Sequence, residues 1–300
     1  GGKILAKLSS GGVETLVTID PAKSSAITLP LDSAAIYDFL PADGRLFVIN
    51  ATADAPPVLL ETDLAGASWS VIRTSRDASI PEDWIPKYRL VSFPSGEGGE
   101  AHGIYLPPTN PGVQAPAGAA PPLIVSVHGG PTAASNPTFQ LSQLYWTSRG
   151  FAILDLNYRG STGFGREYRR SLYGQWGIFD VEDAVAGANW LASQGLADPD
   201  RLIIRGGSAG GYTTLAAHAF HGTFAAGASY FGVSDVEALA RDTHKFESRY
   251  LDQLIGPYPE RRDLYRERSP IHHLDGFKAP LLLLQGLDDH VVPPNQSEMI

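Results

Sequence analysis

The run Arg201-Leu202-Ile203-Ile204-Arg205-Gly206-Gly207-Ser208-Ala209-Gly210-Gly211-Tyr212 constrains this chain more than any other segment. An apolar strand runs into Gly-x-Ser-x-Gly and out into an alanine-rich helix, the pattern of a nucleophile elbow. A serine hydroxyl on a regular helix or strand is a weak nucleophile. Held at the tip of a sharp strand-to-helix turn, it is exposed and can reach a base. Gly206 and Gly210 flank Ser208 because such a turn brings backbone segments too close together for side chains. Standing alone, the motif would equally describe a serine in a glycine-rich turn, so the surrounding pattern has to decide.

That pattern is an alternation of strands and helices. Residues 123–127, 151–156, 202–204, 225–231 and 281–284 are predominantly apolar runs without polar alternation, which implies burial on both faces and hence a parallel sheet. Between them, Val181, Ala184, Val185, Ala188 and Leu191 recur at helical spacing, and Gly195 stands where that helix should end. The expected fold class is therefore α/β, with ligands gathering beyond the carboxyl ends of the strands. Residues 1–85 read differently, as short apolar runs separated by Gly, Pro and Asp turns, which indicates an antiparallel all-β region. The segment 81–86, Pro-Glu-Asp-Trp-Ile-Pro, suits a domain junction. Residues 87–93 and 101–106 should pair as a hairpin, and the Pro- and Gly-rich stretch 107–122 should be a surface loop.

Directly after the first parallel strand comes His128-Gly129-Gly130-Pro131, where a hydrolase of this kind keeps its oxyanion-stabilising amides. Attack by Ser208 on a carbonyl creates an oxyanion, and the N–H groups of Gly130 and Ala209 are the expected donors to it. Losing one such donor costs about 3 kcal/mol of transition-state stabilisation. The His128 imidazole is expected to pack as a turn residue and not to act as the base. After residues 281–284 comes Gly286-Leu287-Asp288-Asp289-His290-Val291-Val292-Pro293, and the order Ser, then Asp, then His is that of α/β hydrolases. Asp289 is the expected triad carboxylate, with Asp288 as the rival. Only His290 follows it, and an adjacent residue cannot bridge Asp289 to Ser208, so the base is expected beyond residue 300. His218 and His221, three apart after the elbow, read as packing or surface residues, and His272-His273 lacks the carboxylate or cysteine spacing of a metal site. The start at Gly1 and the stop at Ile300, inside what reads as the first turn of a helix, lead us to expect a longer protein.

These residues resemble the prolyl oligopeptidase family of serine peptidases, from about Tyr88 to Ile300. The resemblance is carried by His128-Gly129-Gly130-Pro131, by Asn157-Tyr158-Arg159-Gly160-Ser161-Thr162-Gly163-Phe164-Gly165, and by Trp176-Gly177 followed by Asp180 and Asp183. It continues through the elbow and the Gly286-x-x-Asp289-x-x-Val292-Pro293 pattern, which favours Asp289 over Asp288. It implies that residues 1–85 are the C-terminal part of a β-propeller and residues 86–300 an α/β-hydrolase catalytic domain. It also implies an apolar pocket for the residue before the cleaved bond, lined by positions such as Tyr230, Phe231, Val233 and Val292. The implied substrates are short peptides, cleaved through an acyl-enzyme, with exopeptidase action of the aminopeptidase, acylaminoacyl or carboxypeptidase type. Some archaeal acylaminoacyl peptidases carry arginine two residues past the aspartate, where this chain has Val291, so a strict acylaminoacyl assignment does not follow. The stretch 245–250 resembles bacterial members, and the end of the peptide that is recognised stays open.

Composition removes several other classes. With 43% hydrophobic residues and a formal charge of -9 over 300 residues, the chain is globular, and its charge opposes binding to nucleic acid. No apolar run approaches the roughly 18 residues of a membrane helix. Zero cysteines remove disulfides and thiolate chemistry without fixing a compartment, although a cytoplasmic one is favoured. The expected chemistry needs no metal or organic cofactor, and a homo-oligomer is compatible with it. Two alternatives stay in view: an esterase or lipase, which shares the machinery but predicts no propeller upstream, and a non-catalytic binding module, expected if the chain truly ends at residue 300.

Overall fold

The computed structural model describes residues 2–63, 68–77, 80–96, 98–242 and 248–300. Glu97 of the hairpin turn, His244 and residues 245–247 lie outside the described residues. Two antiparallel sheets come first. Strands β1 (Ile4–Ser10), β2 (Val13–Asp20) and β3 (Ser25–Thr28) form one, and β4 (Ala35–Ala42), β5 (Arg45–Ala51), β6 (Val58–Asp63) and β7 (Ser70–Thr74) form the other. Each meanders strand to neighbouring strand, as the short apolar runs and tight turns dictate. They share a small core of Leu16, Leu29, Ile36, Leu46 and Val48.

A single 3-10 turn at Glu82–Trp84 leads into a seven-stranded mixed sheet of order β14-β13-β12-β10-β11-β9-β8. Its strands are β8 (Arg89–Ser95), β9 (Gly99–Leu106), β10 (Leu123–Val127), β11 (Ala152–Asn157), β12 (Leu202–Gly207), β13 (Ala226–Tyr230) and β14 (Leu281–Leu284). The last five are mutually parallel, and the β8–β9 hairpin is added antiparallel to β11. The helices are α1 (Leu141–Thr147), α2 (Arg166–Arg170), α3 (Phe179–Ser193), α4 (Ala209–Phe220), α5 (Val236–Asp242), α6 (Tyr250–Leu254), α7 (Arg262–Glu267) and α8 (Asn295–Glu298). Leu123, Val125, Leu154, Leu156 and Ile204 are essentially inaccessible and pack with Val181, Ala184, Ala188 and Leu191 of α3. Each such large aliphatic side chain contributes roughly 1.5–3 kcal/mol on burial. Ile104, Leu106, Ile124 and Ile153 fill the opposite face with Trp146 of α1.

One strand departs from the expected double burial. β14 lies at the edge of the sheet, with Leu282 58% and Leu284 38% exposed. Among the described residues, β13 is the one strand paired with it.

Strand order determines where chemistry can occur. From β10 the chain moves to β11 on one side and then crosses to β12 on the other, so the loops leaving β10 and β12 diverge. A crevice opens outside the carboxyl ends at such a reversal. Val127 at the end of β10 is in register with Gly206, and Gly207 with Tyr230. The loop starting at His128 and the turn carrying Ser208 are therefore brought side by side.

Candidate active site

Ser208 joins β12 to α4 with φ 56 and ψ -121, a backbone conformation that a non-glycine residue holds only when its surroundings impose it. Two hydrogen bonds do so: Ser208 N donates to Tyr230 O at 3.0 Å, and Tyr212 N donates to Ser208 O at 2.9 Å. The flanking glycines are sterically required. A Cβ on Gly206 would collide with the Gly210 carbonyl, and one on Gly210 with the Val127 carbonyl.

The loop after β10 abuts this elbow, since a Cβ on Gly129 would lie 3.5 Å from Ser208 Cβ. Gly130, Ser208 and Ala209 line one narrow cavity of about 40 Å³ together with Val233 and Val292. Among the described residues Gly130 N–H donates to no backbone carbonyl, and Ala209 N–H opens a helix, where the first amides have no intrahelical acceptor. The combination can place a nucleophilic hydroxyl and two amide donors around one carbonyl.

His128 orients that loop. Its Nδ1 lies 2.8 Å from Gly129 O, and its Nε2 lies 2.8 Å from Ser161 Oγ. Gly129 C=O and Gly130 N–H belong to the same peptide unit, so a ring N–H donated to that carbonyl sets the direction of the amide on the other side of the plane. The ring also stacks on Tyr158, with centroids 4.4 Å apart. Burial lowers its pKa to about 4, so at neutral pH the ring is uncharged, with Nδ1 donating and Nε2 accepting. Both nitrogens are committed, in keeping with the turn role expected for His128.

Asp289 sits in the loop after β14, where its Oδ1 accepts the amides of Val291 at 2.9 Å and Val292 at 3.0 Å. Both valines line the cavity, although Asp289 itself does not. Asp288 is exposed and makes no comparable bonds. Tyr230 and Phe231 also fall outside the cavity wall, unlike Val233 and Val292. Phe231 is 41% exposed with φ 40, its N–H donates to Leu284 O, and its ring lies against Gly207. The turn after β13 thus points Phe231 at the back of the elbow. The wall is completed by Trp176, Leu239, Tyr250, Leu251 and Leu254, which were not singled out as pocket residues. Tyr250, Leu251 and Leu254 share one face of α6 at helical spacing, the one signal that could have pointed to them.

Of the other histidines, His218 lies buried within α4 and packs near Phe277, while His221 caps that helix. His273 bonds Glu267 O. Among the described residues, no cluster of His, Cys, Asp and Glu could hold a metal ion. A larger cavity of about 330 Å³ lies where the small sheets meet the approach to β8, among Asp32, Asp54, Glu82 and Lys87. It offers no strained nucleophile beside free amides.

Comparison with known proteins bears on the same residues. Residues 137–300 match the prolyl oligopeptidase family. The chain is 28% identical over 295 residues to dipeptidyl aminopeptidase BIII of Pseudoxanthomonas mexicana, covering 96% of this chain and 41% of that protein. A solved puromycin-hydrolyzing peptidase of Mycobacterium tuberculosis superposes with a TM-score of 0.93 at 40% identity, over 100% of this chain and 47% of the other. Pyrococcus horikoshii acylaminoacyl peptidase gives 0.84 at 27%, again over 100% and 47%. The chain thus spans less than half the length of these relatives. Its fold is that of their α/β-hydrolase domain, preceded by sheets of the β-propeller type.

Proposed function

This chain belongs to the prolyl oligopeptidase family, and we propose that it carries the nucleophile, oxyanion donors and triad carboxylate of a serine peptidase acting on short peptides. The observation that carries this reading is a strained Ser208 sharing one cavity with Gly130 and Ala209. Ser208 Oγ attacks the carbonyl of the scissile bond, a histidine takes its proton, and the amine leaves with that proton to give an acyl-enzyme. Water then hydrolyses the ester. The N–H groups of Gly130 and Ala209 hold the oxyanion in both steps, when it carries more charge than the substrate carbonyl. Asp289 orients the histidine, and the Val291 and Val292 amides keep its carboxylate fixed. Among the described residues no histidine lines the cavity, and the order Ser, Asp, His puts the proposed base after Asp289.

Val233, Leu239, Leu251, Leu254 and Val292 make the cavity apolar, so the residue preceding the cleaved bond is apolar and uncharged. The relatives are a dipeptidyl aminopeptidase, a puromycin-hydrolyzing peptidase and an acylaminoacyl peptidase, and they support cleavage near the amino end of small substrates. The division into a propeller part, 1–85, and a catalytic part, 86–300, is supported by β7 and β8 belonging to different sheets. Sheets upstream of the hydrolase domain argue against a simple esterase. A panel of free, N-acylated and dipeptidyl anilides, offered to the full-length protein and to Ser208→Ala, tests the proposal. Wild type should prefer apolar residues before the scissile bond, and Ser208→Ala should lose roughly 10⁴-fold or more in kcat. Retained amide hydrolysis in Ser208→Ala, or hydrolysis of esters alone by wild type, would overturn it.

A further inference from the structure

Gly130 has φ 126, a region only glycine occupies readily, and it has no side chain to hold that dihedral. An oxyanion donor at such a residue must be held by its neighbours. The peptide unit between Pro131 and Thr132, which follows the Gly130–Pro131 unit, is gripped at both ends by tyrosine hydroxyls. Tyr158 OH donates to Pro131 O at 2.9 Å, while Tyr250 OH accepts Thr132 N–H at 3.2 Å and pairs with Thr132 Oγ1 at 2.6 Å. The two tyrosines differ in setting. Tyr158 is completely buried and stacked on His128. Tyr250 is only partly buried, opens α6 and lines the same cavity as Ser208.

From this arrangement we infer that Tyr250 is a positioning residue. Its hydroxyl holds the 129–132 loop so that the Gly130 amide faces the oxyanion, and its ring forms part of the wall that the substrate side chain touches. Occupancy of the cavity and alignment of the oxyanion donor are thereby coupled through one side chain. Tyr158 is the fixed end of this clamp, and Tyr250 is the end that substrate reaches. The inference deepens the peptidase reading and rests on it.

The test compares full-length wild type, Tyr250→Phe and Thr132→Val on one apolar peptide anilide, together with a peptide boronic acid that forms a tetrahedral adduct with the serine. Tyr250→Phe keeps the ring and removes the hydroxyl. Its kcat should fall roughly 10- to 100-fold, the scale of a misplaced catalytic group, with KM within about twofold of wild type. Boronate affinity should weaken by a similar factor, because the boronate oxygen takes the oxyanion position. Peptide binding measured in a Ser208→Ala background should not change. Thr132→Val keeps the N–H and loses only the Oγ1 pair, so it should show a smaller loss of the same kind, and it carries the test if Tyr250→Phe does not fold. An active wild type with unchanged kcat in the folded variants, or a loss confined to KM, would overturn the inference alone. An inactive wild type would overturn the peptidase reading and this inference with it.

Discussion

Ser208 is held in a conformation that costs roughly 1–3 kcal/mol for a non-glycine residue, and the rest of the site supplies the restraint. His128 is the clearest example of a residue whose protonation state matters to that restraint. Its ring stays neutral down to about pH 4 in the folded chain, against 6.5 for an unperturbed histidine, because burial disfavours the charged form. Between those values the unfolded chain binds more protons than the folded one. The stability contributed here is therefore complete above pH 6.5 and is lost as the pH falls toward 4. At about 1.4 kcal/mol per pH unit the loss amounts to about 3 kcal/mol. Asp155 and Asp180, whose burial raises both to about 6, titrate in the same range, but they act alike in wild type and in a His128 variant. Denaturant melts at pH 7 and pH 4 should show wild type losing about 3 kcal/mol more than His128→Gln. Equal losses would contradict a half-buried imidazole held neutral in the folded chain.

At the scale of elements, the site depends on how the β8–β9 hairpin and α3 are tied to the loop after β11. Arg159 makes that tie, with its Nε and Nη2 on Asp183 at 2.9 and 2.8 Å, Nη2 on Glu182 at 2.9 Å, and Ser95 of β8 bonded to the same Asp183. Asp183 has no exposed side-chain surface, so Arg159→Ala would leave a buried carboxylate without its cation, a cost of about 3–5 kcal/mol. Arg159→Leu combined with Asp183→Leu removes both charges and should cost less, and a double variant at least as unstable as the single would refute this. Strands β10 and β14 were legible to the residue, because runs made almost wholly of Leu, Ile and Val end abruptly there. β3 and β4 were not. All four β3 residues are exposed, while β4 carries Pro41 and an irregular register between Ile36 and Asp38. Neither presents the alternation that marks a half-buried strand. Ser208, Gly130 and Asp289 stand out in the sequence as candidates because each stands in a short motif at a strand end. Tyr250, Leu251 and Leu254 were not readable as pocket residues, since their spacing on α6 marks an apolar helix face without saying which cavity that face lines.

Across the whole molecule, the small sheets touch the catalytic part close to its reactive loops. Gly11 N donates to Gly163 O at 3.0 Å, and Asn136 Nδ2 donates to Gly12 O at 2.8 Å, so the β1–β2 turn rests on the same loops that brace residues 128–133. Thr162 N in turn donates to Ala133 O at 2.8 Å. These contacts build the propeller-type region into the surroundings of the site, yet the proposed chemistry converges on a single hydroxyl. Reaction of the full-length protein with a fluorophosphonate probe, followed by mass mapping of the adduct, tests that convergence most directly. One adduct should form on Ser208, be absent in Ser208→Ala and be much slower in Gly130→Ala, whose Cβ would crowd Thr132 N at 2.8 Å. An unlabelled Ser208 in folded protein, or an adduct on another residue, would contradict the account.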